Sequence, residues 1–285
     1  MVTVWGDAIA PHGGAIWLGS LIRLLAPLGL NERLVRTSVY RLTREGWLTA
    51  RQDGRRSLYR LSAAGLQRFE HAYRRIYAPP AVEWDGAWDI VLAPTAALTA
   101  AQRRAVKREL AWEGFGTIAA GVFARPARDH TAEDLSGILA GLGVDKQVVA
   151  LEGRDTPGAS SGTLRARAKH CWDLSSIADE YRTFLTRFGS VVACFRDVGA
   201  VDPEQAFVVR SLLIHAFRRV TLHDPQLPSE LAPPRWPAPR AYALCGDFYR
   251  LTQRAAEGHL VATVEPADGL LASAAPYFYE RFGGL

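Results

Sequence analysis

The sequence predicts a multidomain α+β protein, and three observations predict it. A short amphipathic helix with a capping residue is followed at once by two strand-like runs around Asp53-Gly54. From Trp84 to about residue 153, strand-like and helix-like runs alternate. Beyond about residue 170, apolar residues recur at helical spacing over long stretches. The boundaries this suggests are 1–78, 82–160 and 161–285, with Ala78-Pro79-Pro80 as the linker after the first part.

In the first part, GGAIWLGSLIRLLAPLG reads as an apolar helix from about Ala15 to Leu25, then a turn at Pro27-Leu28-Gly29. Asn31 is placed to cap a second helix that runs to Glu45, and Gly46 stands where a left-handed residue ends it. At 100° per residue, Leu34, Val35, Ser38, Val39 and Leu42 share an arc of about 140°, while Arg33, Arg36, Thr37, Tyr40 and Arg44 share an opposing arc of about 100°. Asp53-Gly54 then reads as the two-residue turn of a hairpin, joining strands near 47–52 and 55–61. Arg51, Arg55, Arg56 and Arg60 decorate it. Helix, tight turn, arginine-bearing helix and arginine-tipped hairpin describe a winged helix-turn-helix.

The charge supports a nucleic-acid partner. Between Arg33 and Arg75 eleven arginines face Glu45, Asp53 and Glu70, a balance of +8; the whole chain carries +5, so all other residues sum to −3. A solvated amphipathic helix would need no such concentration. Arginine forks onto phosphate oxygens and guanine edges with two parallel hydrogen bonds, which fits duplex DNA. The expected DNA-binding residues are Arg33, Arg36, Thr37, Tyr40 and Arg44 on the helix, with Arg55 and Arg56 projecting from the hairpin tip.

In the second part, WDIVLAP reads as a strand, Thr99-Ala-Ala-Gln102 as a capping box opening a helix to Glu113, and GTIAAGVFARP as a second strand. Thr131-Ala-Glu-Asp134 reads as another capping box, and KQVVALEG as a further strand. This order suggests a ferredoxin-like α/β sandwich. Residues 154–165 read as a loop. The third part is mainly helical. Leu174, Ile177, Ala178, Tyr181, Phe184, Leu185 and Phe188 mark one helix; Asp202-Pro203 opens another to about Leu222; a third runs from Pro239 or Arg240 to about His259.

No catalytic site is expected. The seven histidines are dispersed, and neither a GxSxG, a Gly-rich phosphate loop nor a paired-histidine metal signature occurs. Cys171, Cys194 and Cys245 have no metal-ligand spacing and read as reduced thiols. No metal and no cofactor are expected. No apolar run is long enough to span a membrane, and the amino terminus lacks a signal-peptide pattern, so a cytoplasmic protein is expected.

The runs GGAIWLGSLIRLLAPLGLNERLVRTSVYRLTREGWL and GRRSLYRLSAAG resemble the amino-terminal domain of the PaaX family of bacterial repressors of phenylacetate-degradation genes. The resemblance continues in YAPPAVEWDGAWDIVL, CWDLSSIADEYRTFLTRF, LLIHAFRRVTLHDPQLPSELAPPRWP, RAYALCGDFYRL and FYERFGGL, and so covers nearly the whole chain. It implies a homodimeric transcriptional repressor in the bacterial cytoplasm, nucleoid-associated when bound, that leaves double-stranded operator DNA when it takes an aryl-acyl-CoA thioester such as phenylacetyl-CoA. A site for that effector calls for cations beside an apolar slot. His215, Arg218, Arg219 and His223 within LLIHAFRRVTLHD are the densest such group outside the DNA module, with Arg165, Arg167 and Lys169 as a second choice. The alternative is an enzyme that docks nucleic acid, such as a metal-dependent nuclease built on Asp85 or Asp89; no partner cluster for either is visible in the sequence.

Overall fold

A computed structural model of the chain describes residues 1–79, 84–128, 131–156, 158, 163–168, 170–198, 200–266 and 271–285, with backbone alone for 131–134 and 168. It is a mixed α+β protein with two small antiparallel sheets, and its chain falls into two compact units. One comprises Met1–Pro79, Tyr181–Arg219 and Ala238–Leu285; the other comprises Pro80–Glu180 and Val220–Pro237.

The first unit begins with α1 (Val2–Val4), which continues through a π turn (Trp5–Ile9) and a 3-10 turn (Ala10–His12). Strand β1 (Ala15–Trp17) leads into α2 (Leu18–Leu25), a 3-10 turn (Ala26–Leu28), α3 (Glu32–Arg44), the strands β2 (Leu48–Asp53) and β3 (Arg56–Leu61), and α4 (Ala63–Tyr77). The sheet order is β1-β3-β2, with Ala15 opposite Arg60 and Leu48 opposite Leu61. Residues 15–17 are therefore a strand and not the first turn of a helix. Ile16 and Trp17 are buried there, and the strand supplies the outer edge of β3 with backbone partners that a helix would have withheld.

Two caps explain where the helices start. The Asn31 side chain accepts from Leu34 N–H at 3.0 Å, and the Ser62 hydroxyl accepts from Gly65 N–H at 2.9 Å. Gly65 also has a packing reason: a Cβ there would lie 2.2 Å from the Trp47 carbonyl oxygen, so the first turn of α4 closes directly onto the root of the β2–β3 hairpin. The hairpin loop is Gly54-Arg55, closed by the Asp53–Arg56 pair, one residue later than the sequence suggested. Gly54 has φ +56° and Arg55 is not at positive φ, so a single glycine at the first central position suffices.

The long helices α9 (Pro203–Thr221) and α10 (Ala238–Thr263) complete one core with this module; Phe207, Ala256, Leu260 and Val264 are buried in the same cluster as Leu21, Leu24, Val35, Val39 and Leu42. Each valine, leucine or phenylalanine side chain among them contributes about 1.5–3 kcal/mol on burial. The carboxyl-terminal part of α8 (Leu174–Asp197), the short α11 (Pro276–Tyr279) and the tail also belong to this unit.

The second unit holds β4 (Trp88–Leu92), α5 (Ala100–Trp112), β5 (Gly116–Ala119), β6 (Val122–Pro126), α6 (Thr131–Gly141), β7 (Val149–Gly153) and α7 (Leu164–Ala168). The order βαββαβ, with antiparallel strands arranged β5-β6-β4-β7, is ferredoxin-like. The run GTIAAGVFARP is two strands, not one. Gly121, at φ +74°, turns the chain where a Cβ would lie 2.4 Å from the Ala93 carbonyl oxygen. The Thr99–Gln102 capping box forms at both of its bonds, whereas the side chains of Thr131–Asp134 lie outside the described residues. The loop expected at 154–165 falls partly outside them too, and α7 begins at Leu164. Among the described residues no helix is long and apolar enough to cross a membrane.

Candidate nucleic-acid interface

α3 presents two unlike faces. Val35, Val39 and Leu42 are buried, within an arc of about 60°, narrower than expected. Leu34 is 50% exposed and not part of the core, because it lies about 110° from the centre of that arc. Arg33, Arg36, Thr37, Tyr40 and Arg44 are all exposed, with Tyr40 at 64%. The Arg36 guanidinium is held one turn back by Glu32, with Nε to Oε1 at 2.8 Å. The Thr37 hydroxyl donates to the Arg33 carbonyl at 2.8 Å. Leu34 adds an apolar group to the outward surface, of the kind that meets a thymine methyl; its exposure was hidden by a hydrophobic pattern that assigned it inward.

The hairpin treats its two tip arginines differently. Arg55 sits in the loop and is exposed. Arg56 turns back: its guanidinium lies 4.4 Å from the Trp17 ring centroid and pairs with Glu265, just beyond α10. Glu265 also accepts from Arg23 of α2 at 2.9 Å. Hydrogen bonds from Arg23 and then Arg56 hold the Glu265 carboxyl below its usual pKa.

The four residues expected to meet an effector do not form one row. His215 Nδ1 and the Thr3 hydroxyl are 2.9 Å apart, and Arg218 donates to the same hydroxyl at 3.4 Å. Burial and the neighbouring Arg218 charge push the His215 imidazole below its usual pKa. Arg219 is exposed at the end of the first unit. His223 lies past the end of α9 and in the second unit, so the helix that carries His215, Arg218 and Arg219 does not reach it. Asp224-Pro225 follows, and a residue before proline is poorly suited to continue a helix. Of the second-choice group, Arg165 donates to the Glu230 carbonyl at 3.1 Å, and Lys169 lies outside the described residues.

In the second unit Asp89 is committed. It stands opposite Arg125 in the β4–β6 register and accepts from Arg125 Nε at 3.1 Å, with both side chains buried. Arg125 also donates to the Glu113 carbonyl at 2.7 Å. Asp85 caps Ala87 N–H at 2.9 Å and pairs with Arg154. No group of three metal-ligating side chains occurs among the described residues.

Sequence reasoning missed a buried ionic group in the first unit. Asp7, of the π turn, receives hydrogen bonds from the Tyr77 and Tyr249 hydroxyls and from Arg281 Nη1. Arg281 and Arg210 are fully buried beside it; Arg210 bridges to Glu257 at 2.9 Å, and Glu257 to His12 Nε2 at 2.8 Å. A lone aspartate in the apolar run VTVWGDAIA was the signal available, since a buried carboxylate requires a cation.

Comparison with known proteins covers almost all of this arrangement. Residues 1–65 match the model of a PaaX-like protein, residues 81–164 that of the PaaX protein central Cas2-like domain, and residues 172–262 that of the PaaX-like protein C-terminal domain. The transcriptional repressor PaaX of Escherichia coli (strain K12) is 37% identical over 284 residues, covering 99% of this chain and 89% of the relative. The solved structure of an uncharacterized protein from Mycobacterium tuberculosis aligns with a TM-score of 0.51 at 25% identity, over 85% of this chain and 89% of the other.

Proposed function

This chain belongs to the PaaX family, and from that premise we propose that it is a transcriptional repressor, a homodimer that grips operator DNA and leaves it on binding an aryl-acyl-CoA such as phenylacetyl-CoA. In this reading α2, the turn at Ala26–Leu28 and α3 are the helix-turn-helix, and β1, β3 and β2 are the wing. Its place is the bacterial cytoplasm, on the nucleoid when bound. The name carried by the Escherichia coli relative supports the repressor role.

The observation that carries the DNA reading is the outward face of α3, where five polar and cationic groups stand exposed on a helix whose opposite side is locked into a core. A recognition helix works this way: buried apolar residues fix its angle, and exposed ones reach base edges and phosphates. Arg36 and Thr37 lie in the first half of the helix and Tyr40 one turn further on, and the three are assigned to base edges. Arg33 and Arg44 are assigned to phosphate, as is Arg55 of the wing. Arg56 can join them by leaving Glu265. One module reads only part of a turn, so two modules of a dimer, about 34 Å apart, would read two half-sites. On the effector side, His215 and Arg218 are the members of the expected group that converge on one point.

The test is fluorescence anisotropy with a duplex from the protein's own upstream region and a scrambled duplex of equal length, across a salt series. Preference for the upstream duplex by a factor of about 10³ or more is expected, with release by phenylacetyl-CoA. Equal affinity for both duplexes would defeat the operator reading. Sedimentation should show a dimer at micromolar concentration, with and without DNA; a monomer in both states would remove the two half-site geometry.

A further inference from the structure

The first unit contains a cavity of about 380 Å³ between its amino-terminal helical segment, α4, α9 and the residue after Pro276. Protein interiors are close-packed, and a cavity of this size lies within the range of small-molecule sites. An aromatic ring needs only about 150 Å³, so there is room for a ring and several further atoms. The lining is largely apolar and aromatic, with Val2, Phe69, Ala72, Tyr73, Ile214 and Tyr277 among its walls. Thr3, Asp7, Glu70, Arg74 and Arg218 are the polar and charged groups on its wall, and Arg218 is the cation among them that is not exposed. It is mostly removed from water, its described hydrogen bond is the one to Thr3 at 3.4 Å, and no carboxylate among the described residues pairs with it. The Asp7 charge is held by Arg281 and Arg210, and Glu70 and Arg74 of α4 line the cavity but are exposed to solvent. A half-buried guanidinium without a counter-charge, at the wall of an apolar space, is costly unless an electron-rich group comes to meet it.

We propose that this cavity is the slot for the effector's acyl group, a flat aromatic body lying among Phe69, Tyr73 and Tyr277 with its carboxyl oxygen on Arg218. The proposal rests on the effector-release reading above and gives that effector a place. A free arylalkanoate and its CoA thioester share this chemistry, differing in whether the oxygen is charged and in whether a CoA arm extends out of the slot.

The cavity also has a mechanical connection to the DNA-reading module. α4 starts where the wing ends, and its first turn is closed onto the Trp47 carbonyl through Gly65. Phe69, a cavity wall, packs edge-on against the Trp47 ring at 5.5 Å, and Gly6 from the opposite wall leaves no room for a Cβ beside Phe69. An occupant that displaces Phe69 therefore acts on the root of the hairpin. The resulting shift can be no larger than the ligand's difference in affinity between the DNA-competent form and the other form.

The experiment compares wild type, Ala72→Phe, which fills the slot from α4, and Arg218→Gln, which keeps the hydrogen-bonding shape and removes the charge. Each full-length protein is titrated calorimetrically with phenylacetate, phenylacetyl-CoA and free CoA, and each is assayed for operator binding and release. Wild type is expected to bind phenylacetyl-CoA or phenylacetate, and free CoA much more weakly. Both variants should hold the operator as wild type does, while losing about tenfold or more in affinity for the acyl probe and in its power to release DNA. A preference for phenylacetate over the thioester would identify the acid as the occupant, and the reverse preference the thioester; either supports the slot. Wild-type acyl affinity in both variants, with wild-type release intact, overturns the slot and leaves the effector reading standing. A wild-type protein that responds to none of the probes overturns both. Should Ala72→Phe fail to hold the operator, Arg218→Gln alone decides between these outcomes.

Discussion

The first unit uses arginine in two opposite ways. On α3 and the hairpin, Arg33, Arg36, Arg44 and Arg55 stand in solvent, Arg36 paired with Glu32 one turn back. In the interior, Arg210 and Arg281 have no exposure at all. The Arg281 guanidinium is boxed by Tyr77 at 4.2 Å, Phe278 at 4.5 Å and Tyr73 at 5.5 Å, and its N–H groups reach Asp7 and the Gly6 carbonyl. The same side chain serves as a mobile cation for an outside polyanion and as a fixed rivet between distant segments. What separates the roles is the supply of partners. An exposed guanidinium keeps its hydration and can exchange Glu32 for a phosphate; a buried one must have every partner built in, and removing it strands the carboxylate opposite.

The buried set should therefore show the largest effect. Arg281→Ala leaves Asp7 with Arg210 at 3.6 Å and no fork from the tail, and empties the aromatic box. A loss of about 3–5 kcal/mol in urea unfolding is expected. Arg281→Lys keeps a cation but loses the planar fork and should fall between the two. If Arg281→Ala unfolded at the wild-type midpoint, the tail would be ornament and the contrast between the two arginine sets would collapse.

The exposed set should act on DNA and leave stability alone. Arg36→Ala is expected to cost about 1–3 kcal/mol on the operator and to relax preference at one base-pair position. Binding-site selection with the variant reads that directly. Equal weakening on operator and scrambled DNA would move Arg36 from base edge to phosphate.

The two sets also differed in how far the sequence disclosed them. The exposed arginines were legible because their geometry is local: Asn31 and Gly46 bound one helix, and 100° spacing separates its faces. The βαββαβ sandwich was visible in outline, although a single glycine, Gly121, decides that one apparent strand is two. β1 was hidden because three residues, Ala15 to Trp17, carry no period of their own and become a strand only beside β3. The rivet and the cavity were hidden more deeply. Asp7 and Arg281 are 274 positions apart, and Thr3 and Arg218 are 215 apart. Nothing in local spacing joins such pairs; the requirement that a buried charge find a partner was readable, but not which partner.

Arg56 stands between the two sets, which makes it a sharper probe. It is half exposed, yet stacked on Trp17 and paired with Glu265. If Glu265 holds the place that a phosphate takes in the complex, Glu265→Gln should raise operator affinity by about two- to fivefold and steepen its dependence on salt. The double substitution Arg55→Ala with Arg56→Ala should lower the slope of log K against log salt by roughly 1–2 units. A decrease in affinity for Glu265→Gln would instead make Glu265 a positioner that presents Arg56 to DNA.

The smallest effect expected is a dependence on pH, and it tests whether the buried set is held by charge. His12 offers both ring nitrogens to acceptors, Nε2 to Glu257 at 2.8 Å and Nδ1 to the Ala272 carbonyl at 2.6 Å, an arrangement that only the imidazolium satisfies with two donors. Burial pulls the His12 pKa down, but the bonds to Glu257 and Ala272 outweigh it and the net shift is upward from 6.5. Burial pushes Glu257 up, yet His12 and Arg210 hold it below 4.5. A raised histidine pKa stabilises the fold fully below 6.5 and ceases to as pH rises through the higher folded value; a lowered carboxyl stabilises fully above 4.5 and ceases to as pH falls through the lower one. Both contributions are complete between 4.5 and 6.5, so stability should decline on the alkaline side of that window. His12→Gln, which keeps one donor and cannot titrate, should flatten the decline between wild-type pH 6.5 and higher values in a series of urea midpoints. An equal decline in wild type and His12→Gln would mean that the pH dependence arises outside the chain His12–Glu257–Arg210, and that this end of the buried set is held by packing and not by charge.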